Sequence, residues 1–194
     1  MKKLKLKVIL GSTREGRFGE NVATWTMKEL SNSEVFEAEL LDLREYELPY
    51  YDNATPASML KAPYESPVSQ RWAEKIGEAD AFVIITPEYN HGYPAVLKSA
   101  LDVIYHEWNR KAVAFISYGA SANGARAIEQ LRQVVAELQM VSVREAISLG
   151  IYSGEQIFNE EGEMIVPANS KKIAKLFGDL SWWASALSVA RLAK

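Results

Sequence analysis

The stretch Ala81-Phe-Val-Ile-Ile-Thr-Pro-Glu-Tyr-Asn-His-Gly-Tyr-Pro94 decides the fold. Its first five residues are apolar and rich in β-branched side chains, as in a strand buried on both faces. From Thr86 to Pro94 the composition changes to Pro, Gly, aromatic and polar residues. Ala95 to Tyr105 then sets Leu97, Ala100, Leu101 and Ile104 on one helical stripe. A strand, an elaborate loop and a helix in succession mark one βα unit of an α/β sheet. Loops at the carboxyl ends of such strands are where ligands sit.

The same alternation extends in both directions. Toward the N-terminus, Leu4 to Leu10 reads as a strand, followed by Gly11-Ser-Thr-Arg-Glu-Gly-Arg-Phe-Gly19 and a helix from about Glu20 to Leu30. Val35 to Leu43 reads as a second strand and Val68 to Glu78 as a helix. Toward the C-terminus, Ala112 to Ile116 is a strand ending in Ser117-Tyr-Gly-Ala-Ser-Ala-Asn-Gly124. A helix carrying Ile128, Leu131, Val135 and Leu138 follows, then a strand from Val141 to Leu149 and a turn at Asn159–Gly162. A final helix from about Ser170 carries Ile173, Leu176, Phe177, Leu180, Trp183 and Leu187 on its expected buried side.

Five strands alternating with helices predict a doubly wound parallel sheet in one domain over residues 1–194. Length and strand number favour a flavodoxin-like three-layer sandwich with order 2-1-3-4-5 over a six-stranded dinucleotide fold. In that order strands 1, 3 and 4 are neighbours. The loops that follow them therefore converge on one crevice. Between strand 2 and its helix, Arg44 to Ser66 shows no regular pattern, which predicts a functional loop or a surface covered by a partner chain.

Bulk composition excludes several function classes. The chain has 194 residues and a net charge of -3, so no basic excess tracks nucleic-acid phosphates. It has no cysteine, which removes disulfides, thiolate metal sites and thiol nucleophiles. Lys2, Lys3, Lys5 and Lys7 are not followed by an apolar signal region. No run approaches the roughly 18 apolar residues of a membrane span. A cytoplasmic location is expected, with neither membrane nor metal.

The first loop suits a phosphate. Gly11, Gly16 and Gly19 permit close backbone approach, Ser12 and Thr13 offer hydroxyls, and Arg14 and Arg17 offer charge. The following helix N-terminus favours an anion. Neither a Walker A loop nor a G-x-G-x-x-G fingerprint is present, because Arg17-Phe18 replaces the first and the glycine spacing breaks the second. The second loop suits a planar ring. Pro87 and Pro94 stiffen its ends, Tyr89 and Tyr93 offer apolar area, and Asn90 and Gly92 suit positive φ. Glu88 and His91 invite an acid/base role, but neither has an evident relay partner, and binding or scaffolding is the preferred assignment. In the third loop, small residues around Ser117, Tyr118 and Gly119 let a ring edge approach the backbone. Phosphate at one end and a flat ring at the other describe a mononucleotide. FMN fits better than ATP, since no metal-holding carboxylates accompany the phosphate loop.

Three motifs carry a family resemblance: Gly11-Ser-Thr-Arg14 with Arg17 and Gly19, Pro87-Glu-Tyr-Asn-His-Gly92 with Pro94 and Leu97-Lys98, and Ser117 with Gly119 before Gly124-Ala-Arg126. Together with Leu48-Pro-Tyr-Tyr-Asp52, they resemble the NADPH-dependent FMN reductases, a family that includes quinone, azo-dye and chromate reductases. The resemblance implies that Ser12, Thr13, Arg14, Arg17, Phe18 and Gly19 hold the FMN phosphate. It implies that Pro87, Glu88, Tyr89, Asn90, His91 and Gly92 cradle the isoalloxazine and ribityl chain, and that Ser117, Tyr118 and Gly119 border the pyrimidine end. It further implies NADPH or NADH as co-substrate, a small-molecule electron acceptor, a homodimer or homotetramer, and a role for Arg44–Ser66 as interface or lid. Hydride transfer would take place at flavin N5, in two half-reactions, with no catalytic side chain. The alternatives are a flavodoxin-type electron carrier without enzymatic activity, against which Arg14, Arg17 and the modest net charge argue, and a flavin-sensing or flavin-supplying protein. Trp182-Trp183 is expected to divide between core and subunit contact, His106 and Trp108 to cap or pack, and Lys171-Lys172 to be solvated.

Overall fold

A computed structural model describes residues 2–151, 156–159 and 161–193. Five parallel strands form one sheet in the order β2-β1-β3-β4-β5, as the sequence predicts. The strands are β1 (Leu4–Leu10), β2 (Phe36–Asp42), β3 (Ala81–Pro87), β4 (Ala112–Gly119) and β5 (Val141–Gly150). The helices are α1 (Gly19–Leu30), α2 (Pro67–Gly77), α3 (Ala95–Asp102), α4 (Ala125–Glu137) and α5 (Pro167–Leu192).

The period of two along each strand builds two cores. Leu6, Val8, Leu10, Val83, Ile85, Ala114 and Ile116 face α1 and α5. Ile9, Phe82, Ile84, Val113 and Phe115 face α2, α3 and α4. All seven residues of β3 and all eight of β4 are buried, which is why both read as unbroken apolar runs. Each fully buried Val, Ile or Phe contributes on the order of 1.5–3 kcal/mol. The sheet's centre is thereby fixed, and the strand ends at its carboxyl edge are held in register: Leu10 lies opposite Ile85 and Asp42, and Thr86 lies opposite Ser117.

Element ends differ from the sequence expectations for local reasons. β2 stops at Asp42 because its carboxylate accepts from the Arg44 N–H and opens a 3₁₀ turn at Leu43–Glu45. α3 stops at Asp102, short of Tyr105. The carbonyl of Ala100, which would otherwise serve the next turn, is taken by the indole N–H of Trp72 at 2.8 Å. A separate 3₁₀ turn at His106–Trp108 then buries Trp108. α5 begins at Pro167, whose fixed φ suits a first helical position. Its buried stripe is Ile173, Leu176, Leu180 and Ala184. That stripe leaves Trp183 on the flank, 39% exposed, and Trp182 65% exposed, correcting the expectation of a buried Trp183.

Residues 46–66 contain only the short 3₁₀ turn Ala57–Met59. They form a strap outside α2 and α3. Tyr64 ties it down by donating to Glu107 at 2.8 Å, while Tyr50 and Met59 stand in solvent. Beneath it lies a cleft of about 290 Å³ lined by Tyr50, Tyr51, Asp52, Lys61, Tyr64 and Val103, among others. No helix among the described residues is long and apolar enough to cross a membrane.

Candidate flavin site

The loops after β1, β3 and β4 leave the carboxyl edge of three adjacent strands and touch one another. Ser12, fully buried, places its Oγ 3.1 Å from the Tyr89 hydroxyl and so joins the first loop to the second. The Glu88 N–H donates to the Tyr118 carbonyl at 3.1 Å and joins the second to the third.

The second loop is a tight hairpin. Tyr89 and Gly92 exchange backbone hydrogen bonds at 2.8 and 2.9 Å. The two residues between them, Asn90 and His91, take φ of 50° and 68°. Positive φ at both central positions is the signature of a type I′ turn. The expectation had been positive φ at Asn90 and Gly92, so His91 rather than Gly92 carries the second strained position. Gly92 instead faces the flexible end of the Gln130 side chain. A Cβ there would stand 2.9 Å from Oε1 of Gln130 on α4. The hairpin is stapled to that helix at both ends. Arg126 donates to the Glu88 carboxylate from Nη1 at 2.6 Å and from its backbone N–H at 3.2 Å. Gln130 Nε2 donates to the His91 carbonyl at 3.0 Å. Glu88 is thus a helix-capping anchor, and His91 projects into solvent.

In the first loop, Thr13 and Arg14 are exposed, and the Arg14 guanidinium has no ion-pair partner among the described residues. Arg17 behaves differently from the expectation of a phosphate ligand. Its side chain is 2% exposed and forks onto Asp42, with Nη1–Oδ1 at 2.7 Å. It also donates to Glu20 at 3.2 Å and to the Ser12 carbonyl. Burial alone would raise the Asp42 carboxyl. The Arg17 hydrogen bonds, the Arg44 N–H and both positive charges outweigh that and hold it below the usual carboxylate range. The Phe18 side chain is not at a ligand surface either. Its ring packs against Tyr118 and Phe158, each at 5.6 Å between centroids. What residues 17 and 18 can turn to a ligand is their backbone N–H, since their carbonyls accept from the Glu20 and Asn21 N–H groups.

The third loop also departs from expectation. Ser117 is fully buried and donates inward to the Asn123 carbonyl at 3.0 Å, with Ser148 Oγ at 3.1 Å. Its hydroxyl shapes the loop and does not face a ring edge. The Tyr118 side chain lies beneath the phosphate loop, against Gly19. A Cβ on Gly19 would come within 2.7 Å of the phenol oxygen. Gly119 keeps a backbone position beside Glu88.

Two features test whether these residues suit FMN. The Tyr118 hydroxyl is buried close to Ser12 and Gly19 but makes no hydrogen bond of good geometry among the described residues, and burial pushes its pKa up to about 12. It is therefore a neutral hydroxyl, held under the first loop. α1, whose N-terminus opens at that loop, has no side-chain cap. An anion at this point would meet helix N–H groups and the exposed Arg14, while the phenol backs the loop from beneath. The residues fit a phosphate-bearing flavin.

Asp42, Glu20, Arg44 and Gln130 are functional neighbours that sequence reasoning does not single out. Asp42 carried one signal: the predicted order puts strand 2 beside strand 1, so a carboxylate ending strand 2 must neighbour an arginine-bearing loop after strand 1. Arg126 was noted within a motif but had no assigned partner.

Fold and loop cluster together define a flavodoxin-like α/β protein with a mononucleotide crevice at the carboxyl edge of its sheet. Residues 4–153 match the family described as NADPH-dependent FMN reductase. The NAD(P)H-dependent FMN reductase C4B3.06c of Schizosaccharomyces pombe is 40% identical over 136 residues, 70% of this chain and 68% of that one. The 2-hydroxy-1,4-benzoquinone reductase of a Burkholderia species is 30% identical over 182 residues, 91% of this chain and 93% of that one. Among solved structures, FerB, a flavoenzyme NAD(P)H:(acceptor) oxidoreductase from Paracoccus denitrificans, shares the fold with a TM-score of 0.73 at 20% identity, covering 94% of this chain and 98% of that one. The chain belongs to the NADPH-dependent FMN reductase family. It is an NAD(P)H-dependent flavoenzyme with FMN as cofactor.

Proposed function

We propose that this chain is a single-domain, cytoplasmic NAD(P)H:quinone-type oxidoreductase that works as a homodimer or homotetramer. The observation that carries the assignment of the phosphate end is the uncapped N-terminus of α1 beside an exposed Arg14 that has no ion-pair partner among the described residues. The backbone of residues 12–19 and Arg14 hold the phosphate. Pro87 to Gly92 support the ring and ribityl chain, and the Gly119 backbone borders the pyrimidine end. FMN, when bound, supplies a two-electron relay at N5 between NAD(P)H and the acceptor. The chain's own residues orient it: the hairpin Tyr89–Gly92, fixed to α4, sets the ring plane. No side chain in the hairpin is placed to relay a proton, since Glu88 is bound to Arg126. The nicotinamide and the acceptor use one open face in turn, which gives ping-pong kinetics. The Burkholderia relative supports a quinone as acceptor class. The strap over residues 46–66, with Tyr50 and Met59 exposed, serves as interface or lid.

The deciding experiment is anaerobic. The purified protein loaded with FMN should be bleached by NADPH and recoloured by benzoquinone, with parallel-line steady-state kinetics. Bleaching without steady-state turnover would mark a carrier. Release of free flavin on reduction would mark a flavin-supplying protein.

A further inference from the structure

Three successive carbonyls of the phosphate loop are held from one side by two arginines. The Ser12 carbonyl accepts from Arg17 Nη1. The Thr13 carbonyl accepts from Arg44 Nε at 3.3 Å, and the Arg14 carbonyl from Arg44 Nη2 at 2.5 Å. Both guanidiniums are themselves fixed. Asp42 grips Arg17 through both carboxylate oxygens and accepts the Arg44 N–H at 2.9 Å. Glu20 bridges the pair, accepting from Arg17 Nε at 3.2 Å and Arg44 Nη1 at 2.8 Å. In a planar trans peptide, each carbonyl and the next residue's N–H point in opposite directions. Fixing the carbonyls of residues 12, 13 and 14 therefore turns the N–H groups of Thr13, Arg14 and Glu15 to the other side. Of these, only Arg14 N–H has a contact among the described residues, a long one of 3.4 Å to Ser12 Oγ. A row of N–H groups facing one way is an anion-binding concavity.

We propose that Arg17 and Arg44, braced by Asp42 and Glu20, are positioning residues: they grip the carbonyls of the first loop from behind and so preset its N–H groups for the flavin phosphate. Neither guanidinium touches the phosphate. The positive charges act on the backbone, which then acts on the ligand. This inference rests on the FMN assignment and adds to it the device that organises the phosphate end.

The test compares FMN with riboflavin, which has the same ring and ribityl chain but no phosphate. Both are titrated into the flavin-free full chain by fluorescence quenching, for the wild type, Arg44→Ala and Arg44→Lys. Arg44 is exposed, so neither variant empties the core. Arg44→Ala should weaken FMN by about tenfold, in line with loss of charge-assisted hydrogen bonds, and leave riboflavin unchanged. Arg44→Lys keeps the charge but loses the fork that spans two carbonyls, and should recover only part of the loss. Full recovery with lysine would show that charge alone matters and overturn the inference. So would an equal loss for both flavins, which would mean a general loss of structure. A wild-type chain that binds neither flavin would instead reject the FMN assignment itself, and this inference with it.

Discussion

Glu88, at the end of β3, and Arg126, in the first turn of α4, are joined by two hydrogen bonds, one from the guanidinium at 2.6 Å and one from the backbone at 3.2 Å. The pair links the Tyr89–Gly92 hairpin to the helix that follows the neighbouring strand. Glu88→Ala removes an N-terminal cap and an ion pair at once. A loss of about 1–2 kcal/mol in urea-unfolding stability is expected, together with weaker FMN binding. Glu88→Gln should retain part of both. An FMN affinity unchanged in Glu88→Ala would show that the hairpin keeps its shape without the staple.

Arg14 is a cation of the first loop with no ion-pair partner among the described residues. Arg14→Ala should weaken FMN binding by about 1.5–3 kcal/mol while riboflavin binding stays constant. Isothermal titration with the two flavins reads this directly. Equal affinity of mutant and wild type for FMN would remove Arg14 from the phosphate site.

His91 sits at φ 68°, where an L-residue is strained and glycine is not. His91→Gly should raise unfolding stability by up to about 1 kcal/mol, the strain relief being partly offset by the looser unfolded chain. The hydride-transfer rate, followed by stopped-flow bleaching of bound FMN, should change little. A fall of about a hundredfold with FMN still bound would show that the imidazole takes part in the chemistry.

Lys111, at the start of β4, is buried, and burial pushes its amine down to about 7, with the Arg191 charge acting in the same direction. It donates to the carbonyls of Ile76 and Gly77 at 2.7 and 3.0 Å, the two bonds a neutral amine can supply. Between pH 7 and the ordinary value of 10.5, the unfolded chain holds this proton more than the folded one does. The cost of burying the amine is therefore full below pH 7 and disappears as pH rises toward 10.5. Stability should rise with pH across that window, by at most about 1.4 kcal/mol per pH unit. Urea midpoints at pH 7 and 9 would show it. Lys111→Met should lower stability overall, by stranding two carbonyls, and should flatten the slope; an equally steep slope in the variant would assign the effect to another group.

The strands could be read from sequence because central parallel strands are apolar on both faces: Ala81–Ile85 and Ala112–Ile116 admit little else. The convergence of three loops followed from strand order alone. What could not be read was the direction of individual side chains. Arg17 in a glycine-rich loop looks like a phosphate ligand until Asp42 arrives from β2, and that meeting depends on the register of two strands. Ser117 and Tyr118 are adjacent, and strand alternation sends one hydroxyl toward Asn123 and the other under Gly19. Gly92 was expected to relax a turn, yet it makes room for Gln130, a contact from a helix that lies far along the chain.

The Tyr118 hydroxyl makes no well-formed hydrogen bond among the described residues. A buried donor in that condition costs about 1–3 kcal/mol, which the rest of the core must offset. A cofactor that binds the folded chain and not the unfolded one adds stability by mass action, so chains loaded with FMN should resist heat and protease longer than empty ones.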